Sequence, residues 1–335
     1  MRETDLRGEP FVEVTRGGLS ESVHAVAACA VDAEGKVVFA LGDVGASTYL
    51  RSAAKPFIAA ASIVENVHER FGLDAPEIAV MAGSHSGEPY HVAAVRSILR
   101  KIGMDESALQ CGAHEPYNAD AARDLRRSGG KPSAVHNNCS GKHAGILALC
   151  KAIGADCATY LEPDNPAQKR ILSLCAAMSS VSLEALHIGI DGCGVPVYAL
   201  PLERAAMSYM RLATLRGMDG ESAAALGVVR AAMIAYPEYV CGTGEFDAAL
   251  MRAGEGAIAC KGGAEGIHAT ALLDRGVGLV LKIVDGAERA HAPAAISALR
   301  RMGMLSERQC ASLRAFARPT VYNWAARPVG EIRSL

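Results

Sequence analysis

The order of its predicted elements places this chain of 335 residues in the α/β class, in an α+β form with one antiparallel sheet. Segments typical of strands lie near both ends of the chain, over about residues 11–45 and 256–284. Between about residues 50 and 250, apolar residues recur mainly at helical spacing. The simplest arrangement pairs the terminal strands in one sheet, with the helices inserted between them. We therefore expect a single unit that spans residues 1–335.

The first strands follow from alternation and from a turn. Phe11–Thr15 alternates apolar and polar residues, and Val23–Val31 is a second, more apolar strand. The turn Asp32–Gly35 joins this strand to Lys36–Leu41, so these two strands are predicted to form a hairpin. The helix that begins at Ser52 is predicted to run to about Arg70.

The rest of the chain is predicted to be helical at first and to return to strands near its end. The C-terminal tail Val329–Arg333 is apolar enough to pack back on the body. The predicted helices are His91–Ile102, Asn118–Arg127, Ile146–Ile153, Pro163–Met178, Leu200–Thr214, Ser222–Ala235, Pro293–Met302 and Glu307–Phe316, and the predicted strands are Gly256–Cys260, Ile267–Leu273 and Val277–Ile283.

Charge and composition limit the kinds of partner that the protein can have and indicate its cellular compartment. The net charge of −2 gives no reason to expect nucleic acid or an anionic membrane as a partner. No apolar run reaches the ~18 residues of a membrane span, and Met1–Arg7 lacks the apolar core of a signal peptide. With no export signal, the ten cysteines are expected to be reduced thiols, so we predict a cytoplasmic protein.

A Ser-x-x-Lys pattern stands where the first strands give way to the first helix. If Ser52 opens that helix, Lys55 lies one turn away on the same face. A serine hydroxyl becomes a good nucleophile when a neighbouring base takes its proton, and a lysine is such a base once burial or a second cation lowers its pKa. The same residues would also suit a helix-capping serine and a solvated lysine. A second match, Ser128–Lys131, lies in a glycine-rich stretch and is predicted to be a surface loop.

Two further stretches place polar residues at the ends of apolar segments. Ser84, His85, Ser86 and Glu88 follow a short apolar run, a common position for site residues and also for an ordinary turn. Lys261-Gly262-Gly263 ends a predicted strand. Penicillin-recognising enzymes set a Lys-Thr-Gly strand beside a Ser-x-x-Lys helix. The order of the two motifs here favours the catalytic interpretation of Ser52 and Lys55.

The longer motifs carry a specific resemblance. The chain resembles the zinc-containing L-asparaginases of the rhizobial type, the asparaginase II family, also called class 3 L-asparaginases. The residues that carry the resemblance span nearly the whole chain and are Arg51–Lys55, Ser84–Pro89, His136–Gly145, Asp191–Pro196, Lys261–Gly266 and Val329–Arg333.

The resemblance implies a fold, an activity and an assembly. It implies a fold like those of serine β-lactamases and serine-dependent glutaminases, a homodimer, and hydrolysis of L-asparagine to aspartate and ammonia. It implies two Ser–Lys pairs, Ser52 with Lys55 and Ser84 with Lys261. Threonine is commoner in the family where Gly262 stands, so contacts at that position are expected to differ.

A metal site is implied by the resemblance alone. It maps to Cys139, Lys142 and Cys193, with one zinc ion per subunit. The spacing of these residues matches no common zinc pattern, so without the resemblance two buried structural cysteines would be the default. Because serine and lysine already supply nucleophile, base and acid, we expect the zinc ion not to act directly in the chemistry.

Substrate contacts and the class of protein complete the expectations. Arg51, His143 and Asp191 are candidates for substrate-binding or supporting contacts. Two alternatives to an L-asparaginase stay open at this point. One is an L-glutaminase or another amidase of the same fold. The other is a catalytically silent metal-binding or penicillin-binding-like protein.

Overall fold

The computed structural model describes residues 6–335, so residues 1–5 of the segment inspected for a signal peptide lie outside the described residues. The strands are β1 (Glu9–Arg16), β2 (Leu19–Val31), β3 (Val37–Leu41), β4 (Ser47–Tyr49), β5 (His187–Ile190), β6 (Pro196–Pro201), β7 (Ile258–Gly263), β8 (Ile267–Leu272), β9 (Val277–Ile283), β10 (Thr320–Tyr322) and β11 (Pro328–Ser334). The helices are α1 (Lys55–Val64), α2 (Val67–Phe71), α3 (Ala75–Met81), α4 (Pro89–Lys101), α5 (Ala119–Arg127), α6 (Ser140–Ile153), α7 (Pro166–Ser179), α8 (Leu202–Thr214), α9 (Gly220–Ala235), α10 (Pro237–Val240), α11 (Phe246–Ala253), α12 (His291–Arg301), α13 (Glu307–Ser312) and α14 (Arg314–Ala317).

The chain forms two compact units. The sheet unit comprises the described residues up to Ala53 together with Leu200–Thr214 and Ala249–Leu335. The helical unit comprises Ala54–Ala199 and Leu215–Ala248. The expectation of one functional unit over residues 1–335 stays a prediction.

The sheet unit confirms that the terminal strands pair. Its strands are hydrogen-bonded in the order β10-β11-β1-β2-β9-β8-β7, and β3 adds to β2. Each adjacent pair is antiparallel, including β2 with β9, which joins the N-terminal and C-terminal parts of the chain. The apolar tail also packs back, because Val12 lies opposite Ser334 and Val14 opposite Ile332. The sheet therefore extends beyond the predicted strand regions to include β10 and β11.

The central strands of this sheet are covered on both faces. All seven residues of β9 are buried, which a strand with one solvated face does not show. Helix α8 packs on β2, β8 and β9, and α12 contacts β1, β8, β9 and β11. The core of the unit thus lies along the strands that join the two ends of the chain.

Two helices form the centre of the helical unit. Residues Lys55–Ile63 of α1 and Ser140–Cys150 of α6 are buried on every side. Around α1 pack α6, α7 and α9, and around α6 pack α3 and α4. Polar residues at the starts of α1 and α6 are consequently carried into the interior.

Several predicted boundaries are wrong, for local reasons. The helix predicted to run to Arg70 breaks at Asn66, whose φ of 54° is left-handed. Helix α6 begins at Ser140 instead of Ile146, because its small and polar first residues are held by packing and not by an apolar stripe. Residues Leu200 and Pro201 end strand β6, so α8 starts at Leu202. The predicted helix Glu307–Phe316 is divided into α13 and α14 at Leu313.

Among residues 6–335, none of the helices combines the length and the apolar composition needed to span a bilayer.

Candidate active site and metal centre

A close contact between α3 and α6 positions the site of the helical unit. A Cβ atom on Gly141 would lie 2.3 Å from the carbonyl oxygen of Val80, which is nearer than a side chain can approach. Glycine therefore lets the start of α6 rest directly on the end of α3. The loop after α3 carries Ser84, and the backbone N–H of the next residue, His85, donates to the carbonyl oxygen of Asn138 at 3.1 Å. Ser84 is thereby placed beside the first turn of α6.

Lys55 and Ser84 form a direct contact in the interior of the helical unit. Lys55 is the first residue of α1, and only 1% of its surface is exposed. Its Nζ atom donates to Ser84 Oγ at 2.8 Å and to the Gly83 carbonyl oxygen at 2.7 Å. The backbone N–H of Ser84 donates to the Val240 carbonyl oxygen at 2.7 Å, which fixes the serine backbone. A lysine amine and a serine hydroxyl held in this way can exchange a proton.

The buried carboxylate of Glu88 holds the loop that carries Ser84. It accepts hydrogen bonds from Ser86 Oγ at 2.7 Å, from the Thr243 backbone N–H at 3.0 Å and from Tyr90 Oη at 3.0 Å. Burial alone would raise the pKa of Glu88, but these donors outweigh burial and lower the pKa below its usual range. The charged carboxylate therefore ties this loop to the loop that contains Thr243.

A second contact joins this loop to α6. His85 Nε2 lies 2.8 Å from Ser140 Oγ, and that hydroxyl donates to the Val135 carbonyl oxygen at 2.9 Å. The serine oxygen is then free to accept, so His85 donates from Nε2. The Gly87 backbone N–H donates to His85 Nδ1 at 3.2 Å, which agrees with this tautomer. Burial lowers the pKa of His85 well below its usual value, so the ring is neutral.

The three residues predicted as metal ligands come together with Asp191. Strands β5 and β6 form a hairpin whose turn carries Asp191 and Cys193, and Cys139 immediately precedes α6. The ligand atoms of Cys139, Asp191 and Cys193 lie within 4.8 Å of one another. Lys142 Nζ lies 2.9 Å from Cys193 Sγ and 3.8 Å from an Asp191 oxygen. The stretch Asp191–Pro196, one of those that carry the resemblance, therefore lies at the turn of a hairpin and presents two of the donors.

The electrostatics of the cluster separate the two thiols. A hydrogen bond from Cys193 lowers the pKa of Cys139, and the cations Lys55 and Lys142 lower it further against the opposing effect of burial. The same hydrogen bond to Cys139, together with burial, raises the pKa of Cys193. Burial alone would lower the pKa of Lys142, but the charges of Cys139, Cys193 and Asp191 outweigh it, so its pKa is raised. One negative sulfur is thus stabilised between two lysine side chains.

This donor set fits a zinc ion. Zinc takes thiolate, nitrogen and carboxylate ligands at about 2.0–2.3 Å in a tetrahedral arrangement. The cluster offers two sulfurs, one amine and one carboxylate, of which Cys139, Lys142 and Cys193 are buried. Lysine binds a metal only as the neutral amine, so binding would release the proton that the metal-free cluster retains.

His143 lies next to this cluster and keeps one nitrogen without a partner. Residue 143 is one helical turn beyond residue 139 on α6, hence on the same face as Cys139. Its Nδ1 atom lies 2.7 Å from Tyr160 Oη, and its buried Nε2 atom has no hydrogen-bond partner among the described residues. Burial, and then the charges of Lys142 and Lys55, lower the pKa of His143 well below its usual value. The ring is therefore neutral.

Ser52, Arg51 and Lys261 belong to the sheet unit. Arg51, with φ of 48°, begins a 3-10 turn that contains the buried Ser52 and ends at Ala54. A Cβ atom on Gly263 would lie 3.1 Å from the Ala53 nitrogen, so the end of β7 rests against this turn. The buried Lys261 lies two residues before Gly263, on the same face of β7, and its Nζ atom donates to the Gly262 carbonyl oxygen at 2.6 Å. The unit thus sets the face of Lys261 toward the Ser52 turn.

The site residues predicted from the sequence fall into two groups. The helical unit brings together Lys55, Ser84, Cys139, Lys142, His143, Asp191 and Cys193, and the sheet unit holds Arg51, Ser52 and Lys261. The pairs Ser52–Lys55 and Ser84–Lys261 each have one member in each unit, and they stay a prediction. Tyr160 was missed, because a lone tyrosine before a Pro-Asp turn gives no signal of its contact with His143.

Solved structures similar to this chain share little sequence with it. Mglu in its glutamate form has 14% identity and a TM-score of 0.47, with 84% of this chain covered. Mglu in its tris and glutamate form has 14% identity and a TM-score of 0.48, covering 89% of this chain and 63% of that one. A protein of Bacteroides dorei DSM 17855, provisionally described as a β-lactamase, has 14% identity and a TM-score of 0.41, covering 82% of this chain and 93% of that one.

These similarities carry no argument for an activity. The chain spans 61% of the length of the Mglu chain in the glutamate form. Among curated protein sequences, none matches this chain significantly. By contrast, the family model of L-asparaginase II matches residues 12–334, which include every residue of the two groups above. A match over nearly the whole chain is decisive for its family, and this chain belongs to the L-asparaginase II family.

Proposed function

We propose that this protein hydrolyses L-asparagine to L-aspartate and ammonia by serine acyl transfer. The family makes it an amidohydrolase with a small-molecule substrate. The single observation that carries the mechanism is the buried Lys55, whose Nζ atom lies 2.8 Å from Ser84 Oγ. A lysine and a serine in contact away from solvent are the elements of nucleophilic amide hydrolysis.

The proposed reaction has two halves. In the first, Ser52 Oγ loses its proton to Lys55 in its neutral form, directly or through Ser84, and attacks the side-chain amide carbon of the substrate. The C–N bond then breaks, ammonia leaves with the transferred proton, and an ester joins Ser52 to the aspartyl group. In the second, water adds to the ester, its proton returns through the lysine, and aspartate leaves. The sum is one amide and one water converted to one carboxylic acid and one ammonia.

Lys261 is the second base or acid of the proposed mechanism. Its face of β7 is set toward the Ser52 turn, and the order of the two motifs in the sequence is that of Ser-x-x-Lys and Lys-Thr-Gly in penicillin-recognising enzymes. Acyl transfer needs an acid to protonate leaving ammonia as well as a base for the nucleophile. With two lysines, one can act as the base and the other as the acid.

We propose that a zinc ion, held by Cys139, Lys142 and Cys193, supports the substrate site. Bound there, it would supply a fixed positive charge close to His143 and Asp191. Two thiolate ligands offset the charge of the ion, which weakens it as a Lewis acid.

The variants Cys139→Ala and Cys193→Ala should lose zinc and raise KM, while kcat stays within about tenfold of the wild type. Metal content by mass spectrometry, with full saturation curves, checks this; a folded, metal-free variant without turnover at saturating substrate would make zinc catalytic.

The first experiment measures ammonia release from L-asparagine, L-glutamine and a chromogenic β-lactam in parallel. We expect turnover with L-asparagine that exceeds turnover with the other two. A preference for L-glutamine would make the protein a glutaminase. Absence of turnover with all three, in folded and zinc-loaded protein, would overturn the proposal of an active enzyme.

We also propose a homodimer, a fold of the serine β-lactamase and glutaminase type, and a cytoplasmic location. The sequence resemblance supports the first two, and the lack of paired cysteine spacing supports the third. Light scattering gives the mass in solution, and a value that corresponds to one chain would contradict the dimer.

A further inference from the structure

The hydroxyl of Tyr160 determines which nitrogen of His143 carries the proton. Tyr160 and His143 are both fully buried, and Tyr160 Oη lies 2.7 Å from His143 Nδ1. The backbone N–H of Gln110 donates to the same Oη atom at 2.8 Å. The Tyr160 hydroxyl has a single hydrogen, which it donates to His143 Nδ1.

The alternative tautomer would leave a buried group unsatisfied. If Nδ1 carried the proton, the Tyr160 oxygen would accept twice, and its own hydrogen would find no acceptor among the described residues. An unpaired buried donor costs about 1–3 kcal/mol. His143 is therefore the Nε2–H tautomer.

The backbone around Tyr160 is held independently of the histidine. The buried Gln168 donates from Nε2 to the Tyr160 carbonyl oxygen at 2.7 Å, and Gln110 donates from its side chain to the Ala158 carbonyl oxygen at 2.9 Å. The two rings meet at 90° with centroids 5.5 Å apart. Tyr160 is thus held at its backbone by Gln168 and at its hydroxyl by the backbone N–H of Gln110.

The Nε2–H group of His143 has no hydrogen-bond acceptor among the described residues. Its Nε2 atom is buried and unpartnered, on the face of α6 that bears Cys139 and beside the charges of Lys55 and Lys142. A buried N–H donor without a partner calls for an acceptor oxygen. The α-carboxylate of an amino-acid amide supplies such an oxygen.

We propose that Tyr160 is a positioning residue, which holds His143 as the Nε2–H tautomer so that it donates to a carboxylate oxygen of the substrate. This inference rests on the proposed function for the identity of the substrate. The role of Tyr160 itself rests on the hydrogen bonds of the Tyr160 hydroxyl.

The test combines a tautomer readout with kinetics in the zinc-loaded protein. In wild type labelled with ¹⁵N-histidine, NMR should show His143 protonated at Nε2, and in Tyr160→Phe it should show a mixture of tautomers. For L-asparagine, Tyr160→Phe should raise KM about two- to threefold with kcat within about threefold, since only the Nε2–H fraction of the protein donates to the substrate. Tyr198→Phe, another buried tyrosine of the helical unit, is the matched control and should leave both values unchanged.

Two histidine variants guard against a purely structural effect. His143→Gln keeps an N–H donor near the Nε2 position and should retain a KM close to that of wild type, whereas His143→Leu should raise KM about tenfold, because it removes the donor altogether. In the His143→Gln background, Tyr160→Phe should add no further change. An Nδ1–H tautomer in wild type, or an unchanged KM in Tyr160→Phe, would overturn the inference. The NMR result stands apart from the ammonia assay, so failure of the proposed activity and failure of the tautomer assignment are distinguishable.

Discussion

Two buried lysines of the helical unit have different partners. Lys55 donates to a hydroxyl and a carbonyl oxygen, while Lys142 lies against a sulfur and a carboxylate. Both lysines also stabilise the thiolate of Cys139, but Lys55 contacts a hydroxyl with which it can exchange a proton, whereas the carboxylate of Asp191 helps to hold the proton of Lys142 in place. The raised pKa of Lys142, caused by the charges of Cys139, Cys193 and Asp191 against the effect of burial, agrees with this difference. We infer that one lysine is placed for proton transfer and the other for binding.

The largest effect is expected from Ser52→Ala, which tests whether the lysine with oxygen partners serves a nucleophile in the sheet unit. Loss of the nucleophile should lower kcat at least about a thousandfold while the protein folds normally. Turnover is measured as ammonia release, and folding by thermal melting.

The second Ser-x-x-Lys match provides the control. Ser128 is exposed, and its Oγ atom donates to the Leu125 carbonyl oxygen at the end of α5, so Ser128→Ala should leave turnover unchanged. Near-normal turnover in folded Ser52→Ala would move the nucleophile to Ser84, which already contacts Lys55.

The comparison itself is tested by the pair Lys55→Met and Lys142→Met. Lys55→Met should lower kcat about a thousandfold with zinc content unchanged, because it removes a base. Lys142→Met should lose zinc and raise KM while kcat stays within about tenfold, because it removes a ligand. Metal analysis and saturation curves on both variants give the answer. If the two variants exchanged these patterns, the division of roles would be wrong.

A smaller loss is expected from Lys261→Met. Removal of a general acid or base should lower kcat at least about a hundredfold and delete one limb of the pH–rate profile. Lys282→Met is the matched control, since Lys282 is a buried lysine of the same sheet. An unchanged profile with full activity would remove Lys261 from the mechanism.

The smallest effect is expected from Glu88→Gln, which should change the free energy of unfolding. Hydrogen-bond donors lower the pKa of Glu88 against the effect of burial, so the folded state binds this proton less readily than the unfolded state. The resulting stabilisation is present above the usual glutamate pKa and is lost as the pH falls toward the lowered value.

Glu88→Gln should therefore reduce the free energy of unfolding by about 2 kcal/mol at pH 7, and the difference from wild type should shrink in acid. Urea unfolding between about pH 7 and pH 3 measures it, since the difference shrinks below the usual glutamate pKa of about 4.3. The exposed Glu162→Gln serves as control. A difference that is constant across this range would contradict the assigned charge of Glu88.

The sheet was largely predictable, and the start of α6 was not. Alternation, turns and an apolar tail indicate strands directly, and pairing of the terminal strands follows from their position in the chain. Ser140–Gly145 has no apolar periodicity, so the pattern placed the start of α6 at Ile146. The segment Ser140–Gly145 is helical because Gly141 and Gly145 allow contact with Val80 and Met81 of α3. Such contacts depend on residues distant in sequence, which local patterns do not contain.

The amino-acid sequence by itself determined the class of the fold, the family and the residue types available for chemistry. Only the tertiary structure decided which of them meet. Lys142 and Cys193 are 51 positions apart, and their contact depends on the hairpin of β5 and β6 reaching the start of α6. Lys55 met Ser84, 29 positions away, because α3 and α6 pack closely enough to place the loop of Ser84 in the interior. Burial and neighbouring charges then shifted the pKa values of Lys142 and Cys193, since both act through space and not along the chain.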